Sequence, residues 1–195
     1  MFDLLTAKYI IIVLFIALGI SVYFNVKLRL EMTQHDAKAF KLIQKAYYNP
    51  VTSLPNLANI QMIIDEHISK ANRHKKPFLL AVIKVKNYYD VQAHAQKYAD
   101  ALMIDIGKKL KILLRSEDIV AHTTHNGFVI LFNEYFEEEN YEILFTRIKN
   151  AFKDRLQVNE KTSFEFKISI GSAVFGEKLA SSEALLNEAT RQALD

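Results

Sequence analysis

The sequence predicts an α/β (α+β) domain with a central mixed sheet flanked by helices, preceded by one membrane-spanning helix and a helical linker. Three observations lead there. A run without charge opens the chain from Tyr9 to Val26. Short apolar runs of strand length then alternate with amphipathic stretches of helical period. Between two of those runs, Ile119–Ala121 and Phe128–Phe132, stands His125-Asn126-Gly127, whose Asn-Gly pair is a strong hairpin signal because a type I′ turn needs φ > 0 at both central positions.

The eighteen residues from Tyr9 to Val26, at about 1.5 Å each, approach the roughly 30 Å of a bilayer core, with Lys8 and Lys27 able to snorkel at its ends. A cleaved signal peptide fits less well: the segment before the run carries Asp3 and Lys8, and no small-x-small cleavage site follows Tyr23. Lys27, Arg29, Lys38, Lys41 and Lys45 outnumber Glu31 and Asp36 after the run, so the positive-inside rule puts that side in the cytoplasm. Of 25 basic and 22 acidic residues, six and three precede residue 49, leaving 19 and 19 in the remainder. The excess positive charge is therefore juxtamembrane. It suits an anionic inner leaflet and gives no reason to expect nucleic acid. The expected topology is single-pass, with the C-terminal domain cytoplasmic. The absence of cysteine agrees with a reducing compartment.

Residues 1–26 thus read as anchor, 27–48 as helical linker and 49–195 as the domain. Val26 to Tyr48 has neither Gly nor Pro, and a loose heptad at Val26, Leu30, Ala37, Phe40 and Tyr47 is compatible both with a homodimer stalk and with packing on its own domain. Asn49-Pro50 ends that helix. Leu57, Ile60, Ile64, Ile68 and Ala71 mark an amphipathic helix, and Phe78–Ile83 a strand buried on both faces. Ala99 to Leu113 marks a long helix, followed by the hairpin. Tyr141 to Phe152 marks another helix, with Glu137-Glu138-Glu139 suited to its positive end. Phe164, Phe166, Ile168 and Ile170 alternate with polar or small residues as one half-buried strand, and Ser181–Leu194 closes as a helix. His122 and His125, with no third ligand nearby in sequence, read as surface residues rather than a metal site.

The chain from Asn49 onward resembles the GGDEF, or diguanylate cyclase, family, and its fold would then be a nucleotide-cyclase-like palm. Asn49–Leu57 (NPVTSLPNL) resembles the opening DPLTGLPNR. Ile83–Tyr88 falls where the family has a strand ending in D-x-D-x-F. Ala99–Leu102 resembles the GDxLL helix, and Arg115-Ser116-Glu117-Asp118 matches RxxD. Thr124-His125-Asn126-Gly127-Phe128 stands at the GGDEF position, and Ile168–Gly171 resembles the SxG strand.

The resemblance implies where the chemistry should be, and the residue types there are wrong for it. Lys84 and Lys86 replace the two acids of the strand motif. Asn126 and Gly127 replace the metal-binding and catalytic acids of the hairpin, and Thr124-His125 replaces Gly-Gly. Magnesium needs hard oxygen ligands, and an ammonium only donates. Gln92 stands for a guanine-contacting Asn, Asp100 is retained, and the chain given carries no Lys and Arg phosphate ligands after Leu194. The expectation is a degenerate domain with no catalytic residues and no metal or GTP bound. It would act as an interaction or scaffold module in an inner-membrane assembly, with a motility complex conceivable by analogy. The alternative is a cyclic di-GMP receptor through Arg115 and Asp118, the positions of the family's product-binding site. Against it stands a local role for both: Asp118 precedes a strand and Arg115 follows a helix whose negative end favours a cation. Lys84 and Lys86 share one strand face and, with Lys75 and Lys76 elsewhere, could attract an anion; the alternative is a solvated strand end.

Overall fold

The structure, a computed structural model, describes residues 4–133, 138–159, 162–176 and 179–194, with backbone alone for part of the first helix and for residues 138–140. The chain divides into two units, Met1–Gln44 and Lys45–Asp195. The boundary lies inside the expected linker.

Helix α1 (Leu4–Tyr47) carries exposed apolar side chains at consecutive and alternate positions from Leu14 to Met32, so its apolar surface runs all the way round. Among the described residues, no helix is long and apolar enough to cross a membrane. The expected span Tyr9–Val26 includes positions 10–13, whose side chains lie outside the described residues.

In the second unit the helices are α2 (Leu57–His74), α3 (Tyr88–His94), α4 (Gln96–Leu113), α5 (Glu138–Ala151) and α6 (Ser182–Leu194). The strands are β1 (Leu79–Val85), β2 (Ile119–Thr124), β3 (Gly127–Phe132), β4 (Arg155–Asn159), β5 (Thr162–Glu165) and β6 (Ile168–Val174). The main sheet has the order β2-β3-β1-β6, and every pairing in it is antiparallel. The expected mixed sheet is therefore corrected. β1 runs opposite to both neighbours, so the parallel relations of β1 with β2 and of β3 with β6 are never between adjacent strands.

Period-two burial in β1 explains the layers. Leu79, Ala81, Ile83 and Val85 join α4 and α5 residues such as Leu102, Ile106 and Ile148 in one core, while Leu80 and Val82 join Ile60, Ile64, Leu185 and Ala189 of α2 and α6 in a second. Against β6, α6 packs without a side-chain spacer. A Cβ at Gly171 would meet the backbone of Ala189, Gln192 and Ala193.

The expected single strand through Phe164–Ile170 is two strands in two sheets. β5 pairs with β4, β6 pairs with β1, and Phe166 between them turns into the core. The side chains of the Glu137–Glu139 run lie outside the described residues.

The start of the unit folds back on the end of α1. Asn56 caps α2 by accepting from Asn59 N–H (3.1 Å) and donates through Nδ2 to Ala46 O (2.8 Å). Asn49 Oδ1 accepts from Val51 and Thr52 N–H, and Pro55 O accepts from His122 N–H (2.8 Å), tying this turn to β2.

Candidate functional site

The β2–β3 hairpin meets the end of β1. Thr124 pairs with Gly127, so the two-residue turn is His125-Asn126, and Gly127 opens β3 opposite Lys84. Ser53 and Lys75 are the only non-glycine residues with positive φ among the described residues, and no glycine has it. The expected type I′ turn is therefore corrected. The register shift between His122 and Thr124 gives the ribbon local twist without a primed turn.

Glycine at 127 is a matter of space rather than of φ. A Cβ there would run into Thr124 Oγ1 and come within 3.1 Å of Lys84 Nζ. The space it vacates holds a closed network. Lys84 Nζ donates to Thr124 Oγ1 (3.2 Å), Thr124 Oγ1 donates to Asn126 Oδ1 (3.5 Å), and Asn126 Nδ2 donates to Val85 O (3.4 Å). Asn126 O in turn accepts from Val85 N–H (2.8 Å). Burial holds the Lys84 ammonium below its ordinary pKa.

This donor set does not suit Mg²⁺. The positions that the resemblance gives to carboxylates hold an ammonium and an amide already engaged with its neighbours, and the nearby hydroxyl is spoken for on both sides. Among the described residues no three His, Cys, Asp or Glu side chains converge as metal ligands.

Sequence reasoning placed His122 at the surface, and that is corrected. It is 3% exposed, stacked on Phe128 with centroids 4.7 Å apart, and its Nδ1 lies 3.1 Å from Thr52 Oγ1. Among the described residues Nε2 has no hydrogen-bond partner, and burial pushes the imidazole pKa down, against weaker support from the Thr124 and His125 backbone. The alternation of β2 could have found it: His122 shares its parity with Val120, a core residue. His125 is exposed in the turn, and Phe128 is fully buried.

Lys86 lies one residue past β1, exposed, with its N–H donating to Lys167 O (2.6 Å). Asp100 on α4 accepts from Gln96 Nε2 (2.7 Å), and Gln96 Oε1 accepts from Gln92 Nε2 (2.8 Å). Gln92, which the resemblance links to guanine contact, and the retained Asp100 thus stand on one side-chain ladder.

Arg115 and Asp118 stand at the opposite end of β2 from the hairpin turn. Asp118 Oδ2 accepts from Arg115 N–H (3.1 Å), and its Oδ1 accepts from Asn133 N–H (3.3 Å) just after β3. Burial pushes the Asp118 carboxyl pKa up, and the two N–H donors oppose it. Asp118 therefore closes the α4–β2 turn and fastens the end of β3, while Arg115 is exposed. A cavity of about 670 Å³ lined by His67, Lys70, His74, Lys76, Phe78 and Asn133 lies beside the end of α2, away from the hairpin, and no motif in the sequence pointed to it.

Four antiparallel strands between two pairs of helices, with a hairpin meeting the end of the central strand, define a GGDEF-type cyclase palm. The chain belongs to that family: residues 46–194 match the model described as "Diguanylate cyclase, GGDEF domain". It is 22% identical over 151 residues to diguanylate cyclase TpbB of Pseudomonas aeruginosa, covering 76% of this chain and 34% of that protein. The chain thus spans about a third of the length of this curated relative. Among solved structures, the FimX GGDEF domain of the same organism superposes with a TM-score of 0.70 at 25% identity, over 76% of this chain and 92% of that one. Diguanylate cyclase SiaD, solved with its activator SiaC and also from P. aeruginosa, superposes with a TM-score of 0.69 at 18% identity, over 98% and 77% of the two chains.

Proposed function

We propose that this chain is a GGDEF-domain protein without diguanylate cyclase activity, anchored in the bacterial inner membrane and serving as a protein-interaction module there. The network of Lys84, Thr124 and Asn126 carries this reading. It puts an ammonium and an amide where the chemistry needs metal-binding carboxylates, and Gly127 where it needs a catalytic acid. The well-filled core on both faces of β1 supports a domain kept for its surface. The full chain in mild detergent, incubated with GTP and Mg²⁺ or Mn²⁺, should yield no cyclic di-GMP. Sustained metal-dependent product would overturn the reading.

The uncharged run Tyr9–Val26, the basic residues after it and the exposed apolar surface of α1 support the anchor and a cytoplasmic domain. Membranes washed with alkaline carbonate should retain the protein, and its release would count against the anchor. Affinity purification from solubilised membranes would identify a protein partner, and a motility complex is a proposal by family analogy alone.

The second reading is a cyclic di-GMP receptor through Arg115 and Asp118. The exposed guanidinium favours it, since its fork suits a guanine edge or a phosphate. The two backbone donors already held by Asp118 favour the local role. Binding heat in the wild type that disappears in Arg115→Ala would decide for the receptor.

A further inference from the structure

The turn at 48–56, between α1 and α2, is held on two sides. On one side lies the end of α1, at residues that belong to the second unit. Asn56 N–H donates to Tyr47 O (3.0 Å), Asn56 Nδ2 to Ala46 O (2.8 Å) and Asn59 Nδ2 to Tyr47 O (3.2 Å), which fills carbonyls that a helix end leaves open. On the other side lies β2. Among the described residues, both hydrogen bonds between the turn and that strand end on His122. The His122 N–H donates to Pro55 O (2.8 Å), and His122 Nδ1 lies 3.1 Å from Thr52 Oγ1. Within the turn, Asn49 N–H donates to Leu54 O and Ser53 N–H to Asn49 O, each at 2.8 Å, and Leu54 is seated in the core.

The place of His122 suits a neutral ring and not a charged one. The neutral ring carries one N–H, and its Nδ1 meets the Thr52 hydroxyl as donor or as acceptor, so one nitrogen, Nε2, stays idle. The charged ring carries an N–H on both nitrogens, and the one on Nε2 is then buried without an acceptor. Among the described residues no carboxylate faces the ring to offset this. The turn and β3 contain no Asp, Glu, Lys or Arg. Helix α4 comes up at Gly107, where a Cβ would meet Leu54, Phe128 and Thr52, and Met103, Ile106 and Leu110 are its buried residues beside that point. Its charged side chains lie elsewhere. Asp105 pairs with Lys109 (3.4 Å), Asp100 accepts from Gln96, Lys97 lies over the Tyr98 ring, and Lys108 and Lys111 are exposed. Helix α2 packs on the other face of β2, where Ala121 points. The one ionisable group that acts on the ring is His125, another base, whose charge adds to the cost.

We infer that His122 is a proton-operated latch between β2 and the turn that receives the end of α1. The neutral ring holds Thr52 and keeps the turn closed on the strand. A proton makes the closed place unfavourable, so the ring leaves the face of Phe128 for solvent, and Thr52 loses its partner on β2. The seat that the turn offers to Ala46 O and Tyr47 O loosens with it. Burial already holds the imidazole below its ordinary pKa of 6.5, so the latch is shut above that value and opens as pH falls beneath it. The device is independent of whether the hairpin binds a metal, because His122 points into the core and not toward Lys84 and Asn126.

The test is hydrogen–deuterium exchange of the full chain in mild detergent at about pH 7.5 and about pH 5, read peptide by peptide and corrected for the intrinsic exchange rate at each pH. In wild type, the amides of the turn and of β2 should lose protection severalfold at the lower pH. The ceiling is about thirtyfold, set by a released imidazole of ordinary pKa. The amides of β1 should stay protected. His122→Phe keeps an aromatic ring against Phe128 but cannot titrate, and its turn should be equally protected at both pH values. Thr52→Val leaves the histidine in place and guards against misfolding of the first variant. It should loosen the turn already at the higher pH and shrink the change on acidification. His125→Gln, in the exposed hairpin turn, should keep the response of wild type. A wild-type turn indifferent to acid, a loss that persists in His122→Phe, a response that vanishes in His125→Gln, or equal loss in β1 and the turn would each overturn the inference.

Discussion

Gly127→Ala probes the one point where backbone, hairpin and altered chemistry meet. The added methyl would collide with Thr124 Oγ1 and lie 3.1 Å from Lys84 Nζ and 3.4 Å from Lys84 Cδ. Overpacking of this kind costs about 1–3 kcal/mol. Rotating Thr124 out of the way also forfeits its bond from Lys84, about 1 kcal/mol. The shorter list of unfolded conformers open to Ala returns about 0.4–1 kcal/mol. The net expectation is destabilisation by about 1–3 kcal/mol, read as a lower urea midpoint with unchanged slope for the full chain in mild detergent. The decisive step is to repeat the change in a Thr124→Ala background. There the worst contact is gone, and the nearest remaining atoms belong to the flexible end of Lys84. The cost should fall below about 1 kcal/mol, giving a coupling of about 1 kcal/mol or more. Equal cost in both backgrounds would refute the argument that glycine is there to make room for the lysine–threonine contact.

Other outcomes follow from the same geometry. Gly171→Ala should cost more than Gly127→Ala, about 3 kcal/mol or above, because its Cβ meets helix backbone that cannot rotate away; a melting temperature equal to wild type would contradict the close docking of α6 on β6. His122 should make stability fall at acid pH. Burial lowers its folded pKa below the ordinary 6.5, so stability is full above that value and is lost as pH falls below it, and the urea midpoint of His122→Phe should lack that component. Asp118→Ala should destabilise by about 1–3 kcal/mol through loss of the acceptor for Arg115 and Asn133 N–H, and an unchanged urea midpoint would contradict that role.

Periodicity carried most of the fold. The helices around Ile60–Ala71, Ala99–Leu113 and Ala184–Ala193 and the doubly buried β1 are visible because each buries a face with a regular repeat. The break between β5 and β6 was hidden because Phe164, Phe166, Ile168 and Ile170 keep period two across it. Parity cannot show that Phe166 leaves one sheet before Ile168 joins another. Strand direction was hidden as well, since antiparallel and mixed sheets share the same burial pattern when helices cover both faces. At the site, the lysines and the missing acids could be read directly. That Asn-Gly does not make a primed turn could not, because the two turn residues depend on a register shift at Thr123, and a shift of one residue moves Gly127 from turn to strand. Nearness to the hairpin suggests a surface place for His122, whereas its strand parity, shared with Val120, is that of the core.

The hairpin and the end of β1 hold an ammonium, Lys84, at a position that the family resemblance gives to a metal-binding acid. Mn²⁺ titration of the full chain, followed by its electron paramagnetic resonance signal with and without GTP, tests it most directly. The aqueous Mn²⁺ signal should be undiminished by protein and reduced only as far as GTP alone reduces it. Stoichiometric loss of that signal on adding protein, abolished by Asn126→Leu, would contradict it.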